Sequence, residues 1–298
     1  MQIPTDIVEK VESGQCILFL GAMASAPSPP EETRFQYKKA PPGGEELALR
    51  LVERCGYKGK DKTNLQRVSL YYELIYGNRE LLENAIREII TKDKDTGEEF
   101  MPSPALHVLA ALPFPIVITT NYDRLFDIAL FRANTRDGRP KQPIKIIYNP
   151  ELKSEPKVPP ADFGENKPIL VKLHGDIDEP GSIVITEEDY IRFIQKMSIR
   201  VYHPLHEHML ARLASWPMLF IGYSLEDYNL RLLFKNLELI VEEHLKLSYS
   251  VDPEPDDIIV SLMGAGKGRT VHFIKEDLWN FVPELYKQVM RREYDHEA

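Results

Sequence analysis

Short runs of consecutive apolar residues alternate along the chain with longer segments in which apolar residues recur at helical spacing. The short runs predict strands, and most of them are apolar throughout. A strand that is apolar on both sides belongs to a sheet that is covered on both faces. The predicted strands are Cys16–Leu20, Ile116–Thr119, Ile144–Ile147, Ile169–Leu173, Ser182–Thr186, Met218–Ile221, Leu247–Val251 and Thr270–Ile274.

Helices are predicted between most of these strands, an order that is typical of βαβ units and a mostly parallel sheet. A longer helical block follows the first strand and interrupts the alternation. We therefore predict a single α/β domain over residues 1–298, with a small helical module inserted at about 45–105. The other predicted helices are Thr5–Glu12, Leu125–Phe131, Glu187–Lys196, Leu205–Ser215, Leu225–Glu238 and Asp277–Arg291.

The composition is that of an ordinary globular protein. The 298 residues are 43% apolar and 28% charged, and the net charge is −9. This acidic balance argues against broad binding of nucleic acids. No apolar run is long enough to span a membrane, and the first residues lack the pattern of a secretory signal. We therefore expect a cytoplasmic protein.

Metal-binding and disulfide patterns are missing from the sequence. The two cysteines, Cys16 and Cys55, are too few for a disulfide framework or for a four-cysteine zinc ribbon. Three histidines, His203, His206 and His208, lie close together but lack the HExxH spacing of a metal-binding helix. We therefore expect no metal site.

Ligands of parallel α/β sheets bind beyond the carboxyl ends of the strands, so the residues after each predicted strand are the candidates for chemistry. The turn Gly21–Ser25 consists mostly of small residues, through which backbone N–H groups can approach a phosphate. A tight exit from the strand explains the same residues equally well. Thr120, Asn121 and Asp123 offer hydrogen-bonding groups to a polar ligand, although Asn and Asp also cap helices.

Three further strand ends carry candidates. His174 follows the strand at 169–173 and has a side chain suited to a general base, with a structural histidine as the alternative. Gly222 permits close approach of a ligand, and Ser224 can hydrogen-bond or cap a helix. Asp252 ends another strand, where a carboxylate can hold ribose hydroxyls or begin a turn with Pro253.

Taken in order, the segments GAMAS, TTNYD, KLHGD and GYS resemble the sirtuin family, and more closely the bacterial sirtuin-like proteins of antiphage defence. The resemblance, which runs from about residue 14 to residue 273, implies a Rossmann-like fold that binds NAD+ as its substrate. The implied contacts are Gly21, Ala22, Ala24 and Ser25 at the pyrophosphate, Asn121 at the nicotinamide ribose, Asp123 at the carboxamide, His174 as the catalytic base, and Gly222 and Ser224 on the adenosine side.

The chain also departs from the sirtuins that remove acyl groups from proteins. Thr120 stands where those enzymes have Gln, Met23 replaces a usual glycine, and the zinc ribbon is missing. These differences favour hydrolysis of NAD+ to nicotinamide and ADP-ribose, which in antiphage defence depletes NAD+. The alternatives are a protein deacylase or ADP-ribosyltransferase, or a subunit that binds NAD+ without turnover.

The segment Leu70–Tyr76 is apolar around more than one face of its predicted helix. Such a helix is either wholly buried or shared with another subunit. We therefore expect a homo-oligomer that assembles partly through the helical module and the C-terminal helix. About 25 residues follow Phe273, so we expect control by self-assembly or by a separate protein, and the resemblance suggests a HerA-type ATPase as that partner.

Overall fold

A computed structural model describes residues 3–30, 36–148, 162–197, 207–223, 225, 232, 247–264 and 270–295. The described residues contain a parallel seven-stranded sheet in the order β3-β4-β2-β1-β5-β6-β7. The predicted α/β fold with a parallel sheet is confirmed. The strands are β1 (Ile17–Leu20), β2 (Ile116–Thr119), β3 (Ile144–Ile147), β4 (Ile169–Lys172), β5 (Met218–Ile221), β6 (Ser248–Val251) and β7 (Val271–Ile274).

The central strand β1 shows why its residues are apolar on both sides. Ile17 and Phe19 belong to the core cluster on one face of the sheet. Leu18 and Leu20 belong to the cluster on the other face. Because successive side chains of a strand point to opposite faces, a strand covered on both faces needs an unbroken apolar run.

Helices cover both faces of this sheet. On one face lie α1, α5, α6 and α10, and α5 packs against both α6 and α10. Residues of α7, α8 and α9 pack on the other face. The helices are α1 (Thr5–Glu12), α2 (Gly44–Cys55), α3 (Leu65–Tyr76), α4 (Arg79–Thr91), α5 (Pro104–Ala111), α6 (Leu125–Arg132), α7 (Glu187–Met197), α8 (Glu207–Ser215), α9 (Asp257–Gly264) and α10 (Leu278–Met290).

Most of the predicted helices are confirmed to within a few residues. Helices α5 and α9 had no counterpart in the sequence prediction. The helix predicted at 225–238 lies outside the described residues apart from two isolated positions. None of the described helices is long and apolar enough to cross a membrane.

Helices α2, α3 and α4 pack on one another around their own apolar cluster. Asn64 caps α3 and Asn78 caps α4 through side-chain oxygens that accept backbone N–H groups. The cluster also contains Ile177, Ile183 and Ile185 from the segment after β4. These apolar contacts join the three helices to the strand ends of the sheet.

The strand predicted at Ser182–Thr186 is wrong. The segment is buried, but its backbone pairs with loops and side chains instead of a neighbouring strand. Val184 N–H donates to the His174 carbonyl at 2.9 Å, and the Arg79 guanidinium donates to the Ile183 carbonyl at 2.6 Å. The apolar run covers the inner side of the helical module and is not part of the sheet.

Helix α3 leaves part of its apolar surface uncovered. Leu74 is 71% exposed and Ile75 is 53% exposed, so the alternative of full burial is wrong for these two side chains. Tyr72, by contrast, is buried within the cluster of the three helices. The predicted oligomer is not tested by this exposure and stays a prediction.

Candidate active site

The carboxyl ends of β1, β2, β4 and β5 open into a cavity of about 470 Å³ that helices α2 to α4 close from the other side. Strand β1 lies at the centre of the sheet, between β2 and β5, where the connections diverge to opposite sides. Parallel α/β sheets bind their ligands at such a crossover. The cavity is lined by Ala22, Met23, Pro41, Pro42, Gly44, Glu45, Leu47, Asp61, Thr63, Asn64, Leu65, Gln66, Ile90, Thr120, Asn121, Tyr122, Asp123, His174, Tyr190, Gly222 and Tyr223.

Two glycines bring the ends of β1 and β5 into direct contact. A Cβ atom on Gly21 would lie 2.3 Å from the Gly222 carbonyl oxygen, and one on Gly222 would lie 2.0 Å from the Ala24 backbone nitrogen. Gly222 also has a φ of +72°, which L side chains rarely adopt. The turn Ala22–Ser25 is a 3₁₀ helix, so both glycines are required for this backbone to form.

Asn121 is held at the end of β2 by two hydrogen bonds. Its side-chain amide donates to the Gly21 carbonyl at 3.1 Å, and its backbone N–H donates to Thr119 Oγ1 at 3.0 Å. Thr119 Oγ1 in turn donates to the Leu20 carbonyl at 2.8 Å. The Asn121 side chain therefore bridges two strand ends and does not cap the following helix.

Asp123 caps a helix and also lies at the cavity, where its predicted role in ligand binding stays a prediction. Its carboxylate accepts the Leu125 N–H at 2.8 Å, which stabilises the start of α6, and the residue also lines the cavity. Burial raises the pKa of this carboxyl, while nearby Lys172 acts in the opposite direction. Thr120 hydrogen-bonds to the Tyr223 hydroxyl, which connects the ends of β2 and β5.

His174 lies at the end of β4, is only 8% exposed and lines the cavity. Its ring meets the edges of Tyr190 and Phe193, each with ring centroids 5.1 Å apart. Burial lowers the pKa of the imidazole to about 3, so the ring is neutral at pH 7. The neutral ring has a lone pair that can accept a proton, and a pKa of about 3 makes it a weak base in the free protein.

A buried ionic cluster lies beneath these loops and was missed by the sequence analysis. Lys172 has no exposed surface, and its ammonium lies 3.0 Å from an Asp176 carboxylate oxygen. Lys145 contacts both Asp176 and Asp127, at 2.9 and 3.0 Å. Lys172 Nζ also donates to the carbonyls of Tyr122 and Asp123, so a single ammonium connects the β2 and β4 loops.

The lysines and carboxylates of this cluster stay charged because each of them has a partner of opposite charge. Burial alone would raise the pKa of Asp176, but Lys172 and Lys145 outweigh it and the pKa lies below its ordinary value. A lysine inside the apolar run ILVKL was the only sequence signal of this arrangement. A buried lysine in a strand requires a nearby carboxylate or carbonyl partner.

Some of the predicted site residues lie away from the cavity wall. Ala24 and Ser25 are buried in the turn behind it. Asp252 accepts the Glu254 N–H at 3.0 Å in a turn after β6 and is not among the cavity-lining residues. Ser224 lies outside the described residues. The roles predicted for these residues are not tested by the structure.

Tyr190 was not predicted from the sequence as a site residue, and neither were the polar residues that α2, α3 and the loop between them contribute to the cavity. The charged residues among the lining set are the carboxylates Glu45, Asp61 and Asp123. Among the described residues, no group of three or more His, Cys, Asp or Glu side chains is placed to hold a metal ion.

Several known proteins are similar in sequence to this chain. The family model of the SIR2-like domain matches residues 115–266, about half of the chain. NAD(+) hydrolase ThsA of Enterococcus faecium is 27% identical over 244 residues, which is 82% of this chain and 44% of that protein. Defense-associated sirtuin 2 of Bacillus subtilis is 28% identical over 170 residues, 54% of this chain and 15% of that protein.

NAD(+) hydrolase ThsA of Bacillus cereus is 24% identical over 213 residues, 70% of this chain and 40% of that protein. A solved complex of a Sir2 homologue with NAD aligns with 97% of this chain and 95% of that chain, at 13% identity and a TM-score of 0.42. The chain belongs to the SIR2-like family. It spans less than half the length of the ThsA relatives that it matches.

Proposed function

We propose that this chain hydrolyses NAD+ to nicotinamide and ADP-ribose, and that the reaction takes place in the strand-end cavity. The observation that carries the proposal is the meeting of Asn121, Asp123 and His174 with the glycine turns of β1 and β5 around one cavity. Membership of the SIR2-like family and the names of the ThsA relatives support NAD+ as the substrate.

The reaction breaks the bond between C1′ of the ribose and the nitrogen of the nicotinamide ring. The electron pair of that bond goes to the ring, which leaves as neutral nicotinamide, and a water oxygen bonds to C1′ of the oxocarbenium-like centre. The water loses one proton in this step. His174 accepts that proton or one from a ribose hydroxyl. Its ring is neutral at pH 7, but burial, which lowers its pKa to about 3, makes it a weak base in the free protein.

Asn121 orients the nicotinamide ribose and the attacking water, since its amide is fixed to the Gly21 carbonyl. Asp123 binds the carboxamide, whose N–H groups the carboxylate oxygens are able to accept, and burial raises the pKa of this carboxyl. The backbone of the Gly21–Ser25 turn receives the pyrophosphate. Thr120 and Gly222, which line the cavity, complete the proposed contacts, while the contacts of Ser224 and Asp252 stay predictions from the sequence.

A homo-oligomer is also proposed, with a separate regulatory protein such as a HerA-type ATPase as its partner. The support is the apolar surface of α3, where Leu74 and Ile75 are more than half exposed. A cytoplasmic location, which gives access to NAD+, stays the prediction from composition. Light scattering tests the assembly: a strict monomer that is active on NAD+ contradicts it.

Product analysis tests the proposed reaction. The purified chain is incubated with NAD+ alone, and nicotinamide and ADP-ribose are followed by proton NMR. We expect equal amounts of both products without any peptide or protein acceptor, and none from His174→Ala. No release of nicotinamide, or release only when an acylated peptide or a protein acceptor is added, contradicts NAD+ hydrolysis.

A further inference from the structure

Lys172 is the last residue of β4 and has no exposed surface, although the three residues before it in the strand are apolar. An ammonium has three N–H donors and no acceptor, so a buried one needs acceptors around it. Its nitrogen contacts the Tyr122 carbonyl at 3.2 Å, the Asp123 carbonyl, and an Asp176 carboxylate oxygen at 3.0 Å. These acceptors belong to two different loops, which one side chain therefore holds together.

The two loops that Lys172 joins carry the groups of the proposed reaction. The loop after β2 contains Asn121 and Asp123, and the loop after β4 contains His174. Asp176 follows His174 by two positions, and Asp123 is itself a partner of the ammonium through its carbonyl. The position of Lys172 is therefore coupled through the backbone to all three side chains.

A backbone hydrogen bond crosses the same junction. Ile177 N–H, from the loop after β4, donates to the Tyr122 carbonyl at 3.0 Å. That oxygen also accepts from Lys172, and a carbonyl has two lone pairs with which to accept both. Hydrogen exchange of the Ile177 amide therefore reports whether the two loops stay in contact.

Lys172 also acts on the charge of Asp123. Burial raises the pKa of this carboxyl and Asp127 of α6 acts in the same direction, while Lys172 lowers it. Tyr37, in the loop before α2, carries no charge at neutral pH, because burial and the charge of Asp123 raise its own pKa. Among these neighbours, Lys172 is the one that favours the ionised carboxylate, the form that accepts N–H groups with both oxygens.

A buried ion pair often contributes little net stability, so stability alone does not explain an ammonium in an apolar strand. We propose that Lys172 is a positioning residue that holds the loop of Asn121 and Asp123 against the loop of His174. The catalytic consequence rests on the proposed NAD+ hydrolysis, whereas the contact between the loops is a property of the free protein.

Lys172→Met removes the ammonium and keeps an unbranched side chain. We expect kcat for NAD+ to fall between about 10- and 100-fold, because the reacting groups lose their alignment. Asp123 also loses the charge that lowers its pKa, so its ionised form is lost at a higher pH. The acidic side of the pH profile of kcat/KM should therefore move towards higher pH. In the free protein, Ile177 N–H should exchange faster relative to the amides of β1.

Lys141→Met is the matched control. Lys141 is also a buried lysine, only 4% exposed, and its ammonium donates to the carbonyls of Ala110 and Leu112, both at 2.7 Å. These residues precede β2, so they lie at the amino edge of the sheet, away from the cavity. This variant should lose stability but keep the kcat, the pH profile and the relative Ile177 exchange of the wild type.

A double variant, Lys172→Met with Asp176→Asn, serves if the single variant does not fold. It removes one charge of each sign, and Lys145 keeps Asp127 as its partner at 3.0 Å. Measured against Asp176→Asn alone, it should show the same three changes, because the loop carbonyls still lose their donor.

The proposal is overturned if kcat, the pH profile and the Ile177 exchange of a folded Lys172 variant match those of its control. It is also overturned if Lys141→Met loses as much kcat, or if the double variant fails to fold, which would assign Lys172 to stability. Faster Ile177 exchange in Lys172→Met, when the wild type releases no nicotinamide, supports the positioning role and contradicts the proposed function alone.

Discussion

The two walls of the cavity are built in different ways. The sheet wall consists of strand-end loops whose polar groups hold one another, as Asn121 does with Gly21 and Lys172 with the backbone of Asp123. The module wall contributes residues from helix starts and a loop, and Glu45, Asp61 and Thr63 are exposed there. In the proposed reaction, the sheet wall would therefore fix the geometry of the reacting groups, whereas the module wall would close the cavity and contribute to binding.

The largest expected effect is a loss of reaction rate when the proposed base on the sheet wall is removed. His174→Ala removes the proton acceptor, and loss of a general base costs on the order of 10² to 10⁴ in rate. Gln66→Ala on the module wall should affect KM more than kcat. Steady-state kinetics of nicotinamide release from both variants checks this, and similar losses of kcat in the two variants would remove the distinction between the walls.

Asn121→Ala tests whether the sheet wall acts by alignment. We expect a fall in kcat on the order of 10², because the ribose and the attacking water lose their orientation. The melting temperature should stay close to that of the wild type, since the side chain does not cap α6. If the variant instead melts much earlier and keeps its specific activity, Asn121 has a structural role only.

Two glycine substitutions compare the stability lost at the sheet wall, where the backbone of Gly222 touches the Ala22–Ser25 turn, with the stability lost at an open turn of the module. Gly222→Ala and Gly77→Ala both place an L side chain at positive φ, which costs about 1–2 kcal/mol. Of the two, only Gly222 also has a backbone atom, the Ala24 nitrogen, 2.0 Å from the new Cβ atom, while Gly77 has open space. Chemical denaturation should show the larger loss of stability, together with loss of NAD+ binding, in Gly222→Ala.

The smallest expected effect, counted per pH unit, is a pH dependence of stability. The pKa of His174 is about 3 in the folded chain and about 6.5 when unfolded, so the unfolded chain binds an extra proton between these values. Stability therefore falls as pH decreases below about 6.5, by up to about 1.4 kcal/mol per pH unit from this residue. Urea titrations from pH 7 to pH 4 should show a steeper fall in the wild type than in His174→Gln. Equal slopes would mean that the histidine is not buried in its neutral form.

The sheet could be predicted closely because its strands are marked by local apolar runs. Ile116–Thr119 and Met218–Ile221 were predicted with the bounds that the structure shows. The same signal failed at Ser182–Thr186, because a buried extended segment that packs on the module has the same apolar pattern as a strand. Apolar content reports burial, and it does not report which backbone groups a segment pairs with.

Only those residues of the candidate site that directly follow a strand could be predicted from the sequence. Asn121, Asp123 and His174 follow predicted strands and do meet at the cavity. The contact between His174 and Tyr190 joins residues from different elements, and the pairing of Lys172 with Asp127 likewise depends on tertiary structure. The module wall was beyond prediction because nothing in its sequence states which helix ends face the sheet.

Calorimetric titration of NAD+ into His174→Gln, beside an assay of nicotinamide release, tests the central claim most directly. We expect the variant to bind NAD+ in a one-to-one ratio, with an affinity close to the KM of the wild type, and to release no nicotinamide. That result places NAD+ in the cavity and assigns His174 to the chemical step. A variant that hydrolyses NAD+ at the wild-type rate, or a wild-type chain that neither binds nor cleaves NAD+, would contradict the account.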